Sequence, residues 1–293
     1  MGFNGRDICQ LLGGHWYSHY GVAPCPSCQC EGRKDQNALT ISDGHDRLLL
    51  NCKKSQCDFT AILAAAGLNF GCYTAPDPCL LAQREAEEKL KAQKKAAQAE
   101  SAWREAVAVI GTPAEAYLTH RGLTHAAPNN FRFHPFAWHG PTAQRLPAMI
   151  APVVSLSGPS SPAIHRTYLQ TDGNGKADVS PNKLMLGATA GGCVRLSAEG
   201  GPLVVCEGIE TGLSLLSGLI QRPATVVAAL STSGMRGLSL PNAPGQLIVA
   251  ADGDPAGEMA AECLAERANA LGWCVELLRA PEGKDFNDIL NGN

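Results

Sequence analysis

The chain has 293 residues, 45% of them hydrophobic and 17% charged, with a formal net charge of −3 at pH 7. Such values belong to an ordinary soluble globular protein, and the length favours two or three folding units over one. No apolar run approaches the ~20 residues that a membrane-spanning helix needs, and Met1–Tyr20 lacks the basic start and apolar stretch of a signal peptide, so a cytoplasmic location is expected.

Residues 1–75 are rich in Cys, Gly and His, with short strand-like pieces at 38–41 and 48–50. Twelve cysteines in a chain without an export signal point to reduced thiols and metal binding rather than a disulfide framework. Cys25 and Cys28 form a C-x2-C pair, and after 23 intervening residues Cys52 and Cys57 form a C-x4-C pair. Two close pairs at hairpin-like turns can complete a tetrahedral thiolate site for zinc, which would supply stability that a core of this size lacks. The wider gap of the second pair leaves Cys30, His19 or His45 as possible substitutes. Arg33, Lys34, Arg47, Lys53 and Lys54 are candidate nucleic-acid contacts in a segment whose charge is otherwise balanced.

Residues 76–108 read as a helical linker. Ala, Glu, Lys and Gln dominate from Leu80 to Ala108 without Gly or Pro, and Glu85–Lys89 and Glu87–Lys91 are (i, i+4) pairs in the favourable order. Residues 109–197 are mixed α+β. Thr112 and Pro113 open a short helix as N-cap and first helical residue, and strands are expected at 148–156, 163–169 and 183–186, with a turn at Asp172-Gly173-Asn174-Gly175. Residues 106–197 carry seven Lys/Arg and three Asp/Glu, whereas residues 198–293 carry five and twelve. A basic module joined to an acidic one suits a protein that grips a polyanion on one side and cations on the other.

Residues 198–293 form the last unit, in which strands alternate with helices from Gly201 onward: 203–206, helix 209–219, 225–230, 247–251, helix 256–271, 274–279. That rhythm implies βαβ units and a largely parallel sheet. Two of the strands deliver acids into glycine-containing turns, at Glu207-Gly208 and at Asp252-Gly253-Asp254. Ligands of open α/β sheets gather beyond the carboxyl ends of the strands. Carboxylates converging there repel one another unless a hard cation such as Mg²⁺ lies between them, typically sharing its shell with substrate phosphates. The bland alternative is helix capping, which accounts for Asp254 before Pro255 but not for three acids at two strand ends.

Together these features resemble the primases of phages, plasmids and bacteria, in which a zinc ribbon precedes a Toprim catalytic core. Glu207-Gly208, Asp252-Gly253-Asp254 and Gly283-Lys284-Asp285-Phe286-Asn287-Asp288 look like the three Toprim motifs in order. Ala163-Ile164-His165-Arg166 and Pro181-Asn182-Lys183-Leu184 are similar to basic strand segments that hold template and nucleotide. The resemblance implies an α/β protein made of a small zinc-ribbon β domain, a helical linker, a mixed basic subdomain and a βαβ Toprim domain. It implies an enzyme that makes short RNA primers on single-stranded DNA from NTPs. Glu207, Asp252 and Asp254 would hold Mg²⁺ or Mn²⁺ with Asp285 and Asp288, and Arg166 and Lys183 would contact phosphates. Glu210 is expected to be an exposed helix residue, His165 structural, and Trp138 and Tyr168 core packing rather than stacking surfaces. Many primases carry an Asp four residues after the first Glu, where this chain has Thr211. The chain stops five residues after Asp288, so a helicase partner would be a separate protein. A Toprim nuclease and a non-catalytic zinc-dependent DNA-binding module are the competing readings.

Overall fold

The computed structural model describes residues 3–29, 37–44, 47–68, 73–74, 77–123 and 130–292. Cys30, Arg33, Lys34 and His45 lie outside the described residues. The chain divides into two compact units, Met1–Lys91 and Ala92–Asn293. Among the described residues no helix is long and apolar enough to cross a membrane.

The first unit opens with α1 (Gly5–Leu11), whose N-cap Asn4 and third residue Asp7 form a reciprocal capping box. Four antiparallel strands follow in the order β1 (His15–Trp16), β2 (Tyr20–Ala23), β3 (Leu39–Asp43) and β4 (Leu48–Cys52). Then comes α2 (Phe59–Ala65), capped by Asp58. A small core of Ile8, Ala23, Leu39, Ile41, Leu48 and Ile62 joins these elements.

Cys25 and Cys28 follow β2, Cys52 ends β4, and Cys57 precedes α2. Their sulfurs all lie within 4.8 Å of one another. The Cys28–Cys52 separation of 3.6 Å is far beyond a disulfide bond, and every described cysteine is free. His19, a possible substitute, is not in the group. Burial pushes the Cys25 thiol up to about 12. Burial opposes ionisation of Cys52 as well, but the backbone amides of Ser55, Cys57 and Lys54 outweigh it and bring the thiol down to about 6. A partly pre-ionised, four-sulfur, closed donor set fits a structural zinc ion.

A long helix, α3 (Pro78–Glu105), begins in the first unit and runs into the second, with Ala99 its one buried residue. The second unit holds two five-stranded sheets. The antiparallel one is ordered β5 (Val107–Ala108), β6 (Arg132–His139), β7 (Gln144–Pro152), β8 (Ala163–Tyr168), β9 (Lys183–Gly187), with α4 (Pro113–His120) following β5. The other is ordered β10 (Val194–Arg195), β12 (Thr225–Ala228), β11 (Leu203–Cys206), β13 (Gln246–Ala251), β14 (Cys274–Arg279). Only β10 runs antiparallel in it. Its helices are α5 (Ile209–Ser214) with a π turn at Leu215–Leu219, α6 (Thr232–Gly237), α7 (Pro255–Ala270) and α8 (Phe286–Leu290).

The parallel sheet explains the unbroken apolar runs in its strands. Val204, Cys206, Val226, Ala228, Ile248 and Ala250 enter one core, which also receives Phe133, Met149 and Tyr117. Leu203, Val205, Val227, Leu247, Val249 and Ala251 enter another beneath α6 and α7. Both faces are buried, so both phases of the two-residue alternation must be apolar. Cys206 registers with Ala228 and Ala250, which brings the carboxyl ends of β11 and β13 within one residue of each other.

Zinc removal should therefore act on the first unit. One Zn²⁺ per chain is expected, and chelation or Cys52→Ser should remove the protection of β2–β4 amides from hydrogen exchange. Protection in β11 and β13 should be retained.

Candidate active site

Glu207 directly follows β11 and Asp252 directly follows β13, one residue out of register because Cys206 pairs with Ala250 and β13 runs on to Ala251. Asp254 is the N-cap of α7, and its Oδ1 accepts from the amides of Ala256 and Gly257 at 2.9 and 2.8 Å. Asp285 is the N-cap of α8, with Oδ1 accepting from Asn287 and Asp288 at 2.8 and 2.9 Å. The third acidic segment is held against the second by backbone bonds: Gly253 donates to the Lys284 carbonyl at 2.9 Å and Gly283 to the Gly253 carbonyl at 2.7 Å. Gly253 is required there, because a Cβ would collide with the Pro281 carbonyl oxygen.

Burial and neighbouring acids raise the pKa values of Asp252 and Glu207. Burial, then Glu207 and Asp285, lift Asp252 to about 6, against a weak donation from the Thr211 hydroxyl at 3.4 Å. Burial and Asp254 raise Glu207, while Lys183 draws it back. Carboxylates that disfavour their own ionisation, without being mutually hydrogen-bonded, can hold a hard divalent cation through oxygen ligands. Among the described residues the four sulfurs form a group close enough to hold an ion as they stand, and the four acids do not. Asp288 closes the α8 capping box by accepting from the Asp285 amide at 3.1 Å, so the structure places it as a capping group.

Glu210 departs from the sequence expectation. It is buried, 5% exposed, because every residue of α5 is buried and the helix has no solvent face. Its carboxylate accepts from the Tyr117 hydroxyl at 2.8 Å and pairs with Lys176 and Lys183 at 3.0 Å each. Burial would raise its pKa, but the two lysines outweigh it and hold the carboxyl well below the usual range. Lys183, expected at a phosphate, is thus anchored by Glu210 while remaining partly exposed and close enough to influence Glu207. Sequence reasoning missed Lys176; the signal was its place directly after the Asp172–Gly175 turn, which folds it back against Leu169 at the end of β8.

Arg166 requires a correction. It is 8% exposed, and its guanidinium donates to the carbonyls of Trp138 at 2.8 Å and Met185 at 3.4 Å rather than facing a ligand. Every residue of β8 is buried, so alternation could not assign it an outward direction. His165 is buried, and burial followed by Lys183 pushes its pKa down to about 4, leaving a neutral imidazole at pH 7. Tyr168 is fully buried, but Trp138 is 49% exposed and is not a core residue.

Residues 202–293 match the Toprim domain, and residues 93–196 match a domain of unknown function (DUF7146). Comparison with curated proteins gives no match. Among solved structures the chain is similar to a DNA primase domain from Pseudomonas aeruginosa, at 19% identity and TM-score 0.42 over 69% of this chain and 74% of that one. It is similar to the zinc-binding and RNA polymerase domains of the Aquifex aeolicus primase, at 15% and 0.42 over 98% and 80%. The RNA polymerase domain of Mycobacterium tuberculosis primase DnaG aligns at 20% and 0.44 over 67% and 78%. The Toprim resemblance drawn from the three acidic motifs is borne out by the domain match.

The Glu210 cluster generates a stability prediction. Glu210→Ala strands two partly buried lysines and should cost about 3–5 kcal/mol. The Glu210 pKa is lowered on folding, so its contribution is complete above the ordinary value of 4.5 and lost as pH falls below it. Urea unfolding should show a large difference between wild type and Glu210→Gln at pH 7 that shrinks towards pH 3.

Proposed function

With residues 202–293 a Toprim domain, we propose that the chain is a primase, a nucleotidyltransferase that makes short RNA primers on single-stranded DNA from NTPs. The observation that supports this reading is that Glu207, Asp285 and Asp254 all act electrostatically on Asp252 just beyond β13, where burial and these neighbours lift it to about 6. Such a donor set fits Mg²⁺ or Mn²⁺. Glu207, Asp252 and Asp254 would hold one or two ions, with Asp285 beside them. When bound, these would lower the pKa of the attacking 3′-hydroxyl and neutralise the triphosphate and the leaving pyrophosphate.

The chain's own residues supply the rest. Lys176 and Lys183 bring two positive charges to a single buried carboxylate, leaving a surplus positive charge beside the acids. Triphosphate oxygens are the anions this surplus suits. Glu210 fixes the lysines before substrate arrives, so less ordering entropy is lost on binding. Thr211 stands where many primases have a further Asp and donates to Asp252 instead, so it restrains a ligand rather than adding one. Arg47, Lys53 and Lys54 of the zinc-binding unit are the template contacts proposed there, and a separate replicative helicase is the proposed protein partner.

The test is primer synthesis on single-stranded DNA with labelled NTPs and Mg²⁺ or Mn²⁺. Short RNA products are expected from the wild type and none from Asp252→Ala. Cleavage of the template without RNA product would replace this reading with the nuclease one. Template binding with neither product, with and without a helicase, would leave a DNA-binding module.

A further inference from the structure

The tip of the β6–β7 hairpin carries an aromatic face that the acidic site does not use. Phe136 and Trp138 are two residues apart on β6, 64% and 49% exposed. Arg145 on β7 registers with Trp138, and its guanidinium lies 6.0 Å from the centre of the indole. It also donates to the Phe136 carbonyl at 3.2 Å. Large exposed aromatics on a fixed strand, rather than scattered singly, mark a contact surface.

The backbone beneath this face is immobilised from inside. The Trp138 carbonyl accepts from both Arg166 and Tyr168, at 2.8 and 2.5 Å, and both donors are buried. The next residue, His139, is fully buried, and its ring bonds Thr142 at 2.7 Å and the Pro181 carbonyl at 2.9 Å. Pro181 is two residues before Lys183, so the hairpin tip is bonded to the segment that leads into the Glu210 cluster. Two buried polar side chains converging on one exposed tryptophan's backbone form a support for a surface residue.

We propose that Phe136, Trp138 and Arg145 form a stacking platform for bases of a single nucleic-acid strand, and that Arg166 positions this platform. The inference deepens the primase reading and rests on it, the strand being the template. The chemistry favours nucleic acid over an apolar protein partner. Indole and phenyl faces accept any base, and Arg145 adds a cation beside them. Glu105, bonded by Ser101 and His134, feels the charge of Arg145 and places one carboxylate within electrostatic reach of this cation.

The experiment measures binding of the zinc-loaded full chain to a fluorescein-labelled single-stranded oligonucleotide at several salt concentrations. Trp138→Leu should weaken binding about tenfold. Trp138→Phe, which keeps a ring, should retain most of the affinity and so separates stacking from damage to the fold. Arg145→Ala should flatten the slope of log K against log salt by about 0.7. Tight binding by wild type that is unchanged in Trp138→Leu overturns the platform and leaves the primase reading standing. If Trp138→Leu instead changes only the sedimentation of the chain, the face is a self-association surface and the proposal is wrong. No single-strand binding by wild type overturns both readings.

Discussion

Helix α5, six residues long and wholly buried, ties the acidic site together. Glu207 lies just before it at the end of β11. Glu210 anchors Lys176, Lys183 and Tyr117 to it, and Thr211 donates to Asp252. One turn later the Ser214 hydroxyl accepts from Asn287, which follows Asp285 by two residues on α8 and also bonds the Arg121 carbonyl at the end of α4. Every segment that contributes a candidate ligand or a candidate phosphate contact is thus bonded to α5 directly or at one remove. Like-charged carboxylates would drift apart on flexible supports; here paired strand ends and Gly253's backbone bonds oppose that.

The two candidate metal centres solve the same electrostatic problem with different chemistry. Four soft sulfurs lie within 4.8 Å of one another at the turns of a small sheet, which fits a closed, structural ion. Hard carboxylates follow the carboxyl ends of two strands in a buried parallel sheet, and oxygen ligands of that kind suit a hard cation that shares its shell with substrate oxygens. The second set has Lys183 beside it, held by Glu210. The anchoring of both lysines by one buried carboxylate keeps those charges from collapsing onto the acids themselves.

Much of this was legible in the chain. The βαβ rhythm after residue 201, the cysteine spacing and the placement of Glu207 and Asp252 at strand ends follow from periodicity and turn chemistry. Asp254 was legible twice over, as a cap and as an acid, and the structure gives both it and Asp285 a capping oxygen. Glu210 and Arg166 were misjudged for one reason. Both sit on elements buried on all sides, where neither the helical nor the strand period marks an outward face. A charge on such an element is oriented by its partners, and Lys176, Tyr117 and Trp138 are 34, 93 and 28 residues away from the groups they satisfy. Trp138 was assigned to the core on its residue type, whereas its exposure is set by the hairpin tip.

Thermal unfolding of the zinc-loaded chain with and without Mn²⁺, at pH 7.5 and pH 5, tests the central claim most directly. Folding raises the Asp252 pKa from 3.8 to about 6. Its stabilising contribution is therefore present below 3.8 and lost as pH rises through about 6, which leaves ionised, mutually repelling acids at pH 7.5. A cation held by them should raise the unfolding midpoint strongly at pH 7.5 and weakly at pH 5. Asp252→Asn should raise the metal-free midpoint and abolish most of the Mn²⁺ effect. A midpoint indifferent to Mn²⁺, or an equal response in Asp252→Asn, would contradict the assignment of these carboxylates as a metal site.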